Sequence, residues 1–173
     1  YLHERQDGQT PLSQAANAGD VELTRLLLQS GADPNFPDED GAVPLFFATR
    51  HEVTRTLLEA GARIEFHPYW GSALHLAAAD PDTTRLRLLL SAPGAQNALI
   101  WFDDMGWSPL HWAASQGRVE AIRLLLAAGT PADLRCPGGR TALALAWREG
   151  HGDAIAALLE GGADPELSLP EEF

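Results

Sequence analysis

The sequence predicts an all-α solenoid of stacked helix-turn-helix units with projecting turn loops, and three observations predict it. A block running Gly8, Gln9, Thr10, Pro11, Leu12 recurs in degraded form, its leucine returning at Leu45, Leu74, Leu110 and Leu143, at spacings of 33, 29, 36 and 33 residues. Each block opens a helix-like stretch rich in alanine. A leucine run then follows and stops at glycine, as with Leu26 to Leu28 before Gly31 and Leu124 to Leu126 before Gly129. A unit of about 33 residues cannot bury its apolar face alone, so such units stack on one another.

The fourth copy justifies each element most fully. Pro109 suits a first helical turn, where a missing N–H costs nothing, and Ser108 before it can cap that turn. Ala113 and Ala114 are small enough for neighbouring helices to approach closely, Gly117 fits a turn between helices, and Leu124 to Leu126 supply the buried stripe of a second helix that Gly129 ends. The first copy reads the same way from Gly8 to Asn35, and the fifth from Gly139 to Pro165 with Thr141 as the cap. With its run Gly106, Trp107, Ser108, Pro109, Leu110, His111, the chain resembles the ankyrin repeat family. The resemblance implies a single ankyrin repeat domain over residues 1–173, with repeats near 5–37, 38–66, 67–102, 103–135 and 136–168 and a short acidic tail at 167–173.

Two copies depart from the pattern. In the second, Leu45 lies 16 residues before Gly61, against 19 from Leu12 to Gly31, so the inter-helix turn around residues 49–52 is largely lost and its helices are expected to be shorter or its turn tighter. In the third, Trp70 occupies the place of the opening glycine and Ala73 that of the proline, and residues 96–104 lengthen the connection into the fourth copy. Loops held by a rigid stack are where binding residues concentrate, so individuality is expected at 66–70 and 96–104.

Composition sets further limits. The chain is 45% apolar, and no apolar run approaches the ~20 residues that a membrane helix needs. No basic start or apolar segment of a secretory signal opens it, which points to a cytoplasmic location, although a chain beginning at Tyr1 can have been trimmed. Its single cysteine, Cys136, excludes an internal disulfide and a multi-cysteine metal site. All twelve basic residues are arginine and the net charge is −12, so nucleic acid and anionic membrane are poor partners and a basic protein surface a good one. Absence of lysine together with abundant alanine suggests a GC-rich, bacterial genome.

No constellation of catalytic residues emerges. His75 and His111 share one repeat position, where the resemblance implies a histidine that ties adjacent loops by hydrogen bonds, and His151 is likewise a repeat feature. His3, His51 and His67 lack a partner at metal-ligand spacing. There is no Gly-x-Ser-x-Gly elbow and no phosphate loop, and Cys136 lies in a Pro and Gly loop between Arg135 and Arg140. The chain is therefore expected to be no enzyme and to hold no cofactor or metal.

What remains is the surface. The resemblance implies contacts through the projecting loops, the first-helix face and the inter-helix turn. Aligning the copies places there Phe36, Asp38, Glu39, Asp40 and Ala42; Phe66, His67, Tyr69 and Trp70; Trp101, Phe102, Asp103, Asp104, Met105 and Trp107; and Arg135, Arg140 and Arg148. Trp107 aligns with Gln9, Ala42, Gly71 and Arg140, a set without common chemistry, which argues that the stack does not need it; Tyr69 earns the same argument. Trp112, Phe47 and Trp147 fit packing and contact equally. The binding residues expected from sequence are thus Asp38, Glu39, Asp40, Phe66, Tyr69, Trp70, Trp101, Asp104, Met105, Trp107, Trp112, Arg140 and Arg148. They suit a protein-protein interaction module, with a bacterial immunity or antitoxin-type inhibitor of a basic toxin and a secreted effector or host-directed scaffold as alternatives.

Overall fold

A computed structural model describes residues 8–168, so His3 and the end of the acidic tail lie outside the described residues. Five helix pairs follow one another: α1 Pro11–Ala18 with α2 Val21–Gln29, α3 Pro44–Phe47 with α4 His51–Glu59, α5 Ala73–Ala79 with α6 Thr84–Leu90, α8 Pro109–Ser115 with α9 Val119–Ala127, and α10 Ala142–Arg148 with α11 Gly152–Glu160. A four-residue helix, α7 Ala95–Ala98, opens the long connection after the third pair, where the sequence suggested only a loop. The first helices α1, α3, α5, α8 and α10 form an inner row; α2, α4 and α6, and again α9 and α11, pack as an outer row behind it. No sheet occurs among the described residues; turn loops, here called fingers, project between pairs, with isolated bridges at His67 to Gly71 and Arg135 to Thr141.

The repeat leucines are the spine of the core. Leu12, Leu45, Leu74, Leu110 and Leu143 are all at most 4% exposed, and alanines such as Ala77, Ala78, Ala113 and Ala114 are fully buried between inner helices. Pro44, Pro11 and Pro109 begin their helices, and the hydroxyls of Thr10 and Thr141 accept from the N–H groups of Ser13 and Ala144 at 3.1 and 3.2 Å. Gly117 takes a left-handed φ of 65°, and a Cβ there would lie 2.9 Å from the His151 ring, so this turn requires glycine twice over.

The missing residues of the second copy shorten the inner helix. α3 spans four residues against eight in α1, and α4 begins three residues after Ala48. Truncation exposes carbonyls that a longer helix would have paired. Arg85 of α6 meets them: its Nη2 donates to the carbonyls of Phe46 at 3.2 Å and Leu45 at 3.4 Å. Arg85 is 4% exposed, at a register position that Val53, Ala121 and Ala154 fill in other outer helices, and burial pushes its pKa down to about 10, still charged at neutral pH. Elsewhere the reach-back comes from the start of the outer helix. Arg50 donates to the carbonyl of Gly19 at 3.4 Å, Arg118 to that of Ala79 at 2.8 Å, and His151 to that of Ser115 at 3.0 Å. Basic side chains thus satisfy the orphan carbonyls at the ends of preceding inner helices.

Candidate protein-binding surface

Numbered by repeat, the second to fifth fingers are each built around one buried residue. Asp38 Oδ1 accepts from the N–H groups of Asp40 and Ala42 at 3.0 and 2.8 Å, and Asp103 Oδ1 accepts from those of Met105 and Trp107 at 3.0 and 2.8 Å. In the third finger His67 takes this place, its Nδ1 accepting from Tyr69 and Trp70 at 3.3 Å each, and in the fifth it is the buried Cys136. The second, fourth and fifth fingers turn on a left-handed glycine three residues later, Gly41, Gly106 or Gly139. Trp70 stands at that point in the third, and the left-handed conformation passes to Gly71, with φ 73°, because a side chain resists positive φ.

These geometries correct part of the expected surface. Asp38, 5% exposed, is turned inward to hold its own turn together rather than out to solvent; Asp103 and His67 are buried for the same structural reason, and Ala42 is buried as well. Trp107 is also buried, at 9% exposure, with its ring edge-on to Trp112 at 5.3 Å and its carbonyl accepting from His75. At the aligned position Ala42 and Gly71 are buried too, Gln9 is half-buried and only Arg140 of the fifth is exposed, so chemical variety there does not mark a free surface site. Trp107→Ala would therefore open a cavity rather than leave the fold untouched.

Trp112 is half-buried, its Nε1–H donating to Asp103 Oδ2 at 2.6 Å, and Phe47 packs half-buried against the core. Trp147, by contrast, is 73% exposed. Trp101 leans on the core and meets Phe66 edge-on at 5.7 Å, while Phe102 is half-buried beside His111. Arg140 and Arg148 are exposed, the latter paired with Glu149 at 2.7 Å.

Of the expected residues on the second to fourth fingers, those that reach solvent are Glu39, Asp40, Phe66, Tyr69, Trp70, Asp104 and Met105. Tyr69 and Met105 are about three-fifths exposed, and the Asp104 N–H donates to the Tyr69 carbonyl at 3.2 Å, which sets the third and fourth fingertips side by side. Leu76 on α5 and Ile100 beyond α7 add exposed apolar surface that the aligned loops did not single out. Leu76 shares its helical position with Trp112, a position weighed equally between packing and contact, so the signal was present in the sequence.

Histidines fix the relation between fingers. The Ser72 N–H donates to His75 Nδ1 at 2.9 Å, which leaves Nε2–H to donate to the carbonyls of Trp101 at 3.0 Å and Trp107 at 3.2 Å. His111 repeats the device, bonding Ser108 through Nδ1 and the carbonyl of Arg140 through Nε2 at 3.1 Å. Both pKa values are lowered, chiefly by burial, so both rings are neutral ties and no acid–base pair. In the second copy Phe46 stands at this position and stacks on His67 and Trp70, at 5.6 Å from each. Among the described residues no group of histidine, cysteine and carboxylate side chains could hold a metal ion, and no helix is long and apolar enough to cross a membrane.

Known proteins share this pattern. A family profile for ankyrin repeats in three copies matches residues 2–67 and 72–168. Human SH3 and multiple ankyrin repeat domains protein 2 is 30% identical over 96% of the chain, which covers 9% of that protein. Mouse ankyrin repeat domain-containing protein 63 is 47% identical over 84% of the chain and two fifths (40%) of its own length, and the chicken nuclear factor NF-kappa-B p105 subunit is 37% identical over 83% of the chain and 16% of its own. The chain thus spans less than half of these relatives. Repeat period, buried leucine spine, histidine ties and profile agree: this chain belongs to the ankyrin repeat family.

Proposed function

We propose that the chain binds another protein through the tips of its second to fourth fingers and the adjoining inner-helix face. Ankyrin repeats are protein-interaction modules, and the observation that carries the location is the run of exposed Phe66, Tyr69, Trp70 and Met105 on neighbouring fingertips. Apolar side chains clustered on an otherwise acidic surface favour association, and aromatic residues dominate the energetics of interface centres. Trp101 and Trp112 support this surface from below. Glu39, Asp40 and Asp104 at its rim would steer a basic partner, with Arg140 and Arg148 marking its other end. The single cysteine Cys136, which has no disulfide partner in the chain, suits a reducing compartment such as the cytoplasm.

The test is affinity capture with the wild-type chain beside Tyr69→Ala and Met105→Ala variants of unchanged thermal midpoint. Partners retained by the wild type and lost from both variants are expected; partners held equally by all three would move binding off the fingertips.

The charge of −12 favours a second reading, an inhibitor of the immunity or antitoxin type that covers the active site of a basic bacterial enzyme. It predicts one basic target whose activity falls on stoichiometric binding, with association slowed by salt. Several partners indifferent to salt would instead describe a scaffold or host-directed effector.

A further inference from the structure

We infer that the junction of the third and fourth fingertips is a seat for an arginine side chain carried by the partner, flanked on the partner by an apolar residue. This rests on the reading that the fingertips bind protein and names the chemistry they select.

The argument begins with where charge is neutralised. Among the described residues, ion pairs join Arg25 to Glu22, Arg87 to Glu120 and Arg123 to Glu160 along the outer helices, Arg50 to Glu52 at the start of the outer helix α4, and Arg148 to Glu149 at the end of the inner helix α10. None lies on a fingertip. The exposed carboxylates Glu39, Asp40 and Asp104 stand on the fingers without a cationic partner among these pairs, although the chain carries twelve arginines that could have been placed opposite them.

At Asp104 that uncompensated charge stands on a residue whose backbone is bonded to that of Tyr69, itself an exposed aromatic residue. The Asp104 N–H is bonded to the Tyr69 carbonyl at 3.2 Å, so an exposed carboxylate and an exposed phenol ring belong to adjoining residues of two fingers. Asp103 beneath is a second carboxylate, already engaged by two backbone N–H groups and the Trp112 indole, and so fixed as negative potential under the seat. Met105 and Trp70, about half exposed or more, border it with apolar surface.

A guanidinium matches this set better than an ammonium. It lies flat on an aromatic face while its N–H groups meet a carboxylate side-on, and it is more weakly hydrated. Met105 and Trp70 would take an aliphatic or aromatic neighbour of that arginine.

The experiment selects random twelve-residue peptides displayed on phage against the whole chain, then measures the enriched peptides, made synthetically, by fluorescence anisotropy. Enriched peptides are expected to carry arginine next to an apolar residue. Replacing that arginine with neutral citrulline should weaken binding about tenfold, as should Asp104→Asn and Tyr69→Ala separately. Glu160→Gln, on the outer helices, should leave binding within about twofold. Enriched peptides that lack a basic residue, or binding untouched by Asp104→Asn, would overturn the arginine seat while leaving protein binding in place. No enrichment at all would overturn both readings for a linear segment.

Discussion

The junction between the second and third repeats and the junction between the fourth and fifth do the same task with different forces. In the latter, the inner helix α8 spans seven residues and His111 ties its own cap at Ser108 to the next finger at the Arg140 carbonyl. In the former, α3 spans four residues, Phe46 replaces the histidine, and the next finger is held by the stack of Phe46, His67 and Trp70. A hydrogen-bonded tie leaves the finger's exposed residues free of structural duty. The aromatic tie recruits a finger residue, Trp70, whose ring lies 4.6 Å from that of His67, into the stack. The difference teaches that exposed aromatics here are of two kinds: Trp70 is stacked face to face into the tie, whereas Tyr69, the more exposed, only tilts against His67 at 5.9 Å.

The comparison breaks first at Arg85. Arg85→Ala leaves the α3 carbonyls without donors and opens a void, and a loss of about 2–4 kcal/mol is expected in urea unfolding. A loss below about 1 kcal/mol would show that shortening α3 needs no compensation. His111→Ala should come next, at about 1–3 kcal/mol, because it strands a buried hydroxyl and a carbonyl.

That variant also sharpens the contrast through pH. The folded pKa values of His75 and His111 lie below the ordinary 6.5, so the unfolded chain protonates first as pH falls. Stability contributed by the neutral rings is therefore full above pH 6.5 and declines below it, by at most about 1.4 kcal/mol per pH unit for each histidine. His111→Ala should flatten the decline between pH 6.5 and 5, and an unaltered slope would mean that this ring titrates alike in both states.

Phe46→Leu loses the stack and should cost about 1 kcal/mol while keeping the wild-type pH slope. The smallest effect is expected for Tyr69→Ala, within about 0.5 kcal/mol by the same unfolding measurement. A larger loss would place Tyr69 with Trp70 in the structural class.

Much of this was legible from residues alone, for reasons that particular positions show. Ser108, Pro109 and Gly117 act within a few residues of themselves, as cap, first turn and left-handed turn, the His111 tie to the next finger followed from the family resemblance, and the shortening of the second copy was a matter of counting. Trp107 was misplaced because variation between copies does not distinguish a free site from a buried one that each copy fills with a different residue, and Asp38 because alignment puts it on a loop without showing that its carboxylate turns onto that loop's own N–H groups.

The sequence by itself therefore determined the repeat, the caps and first turns that open helices such as α1 and α8, and the family, since period and local backbone preference are carried by neighbours along the chain. Only the tertiary structure decided which finger residues face solvent, that Arg85 completes a helix forty positions away, and that Tyr69 and Asp104 adjoin. Burial and pairing there depend on which side chain the next repeat brings into reach.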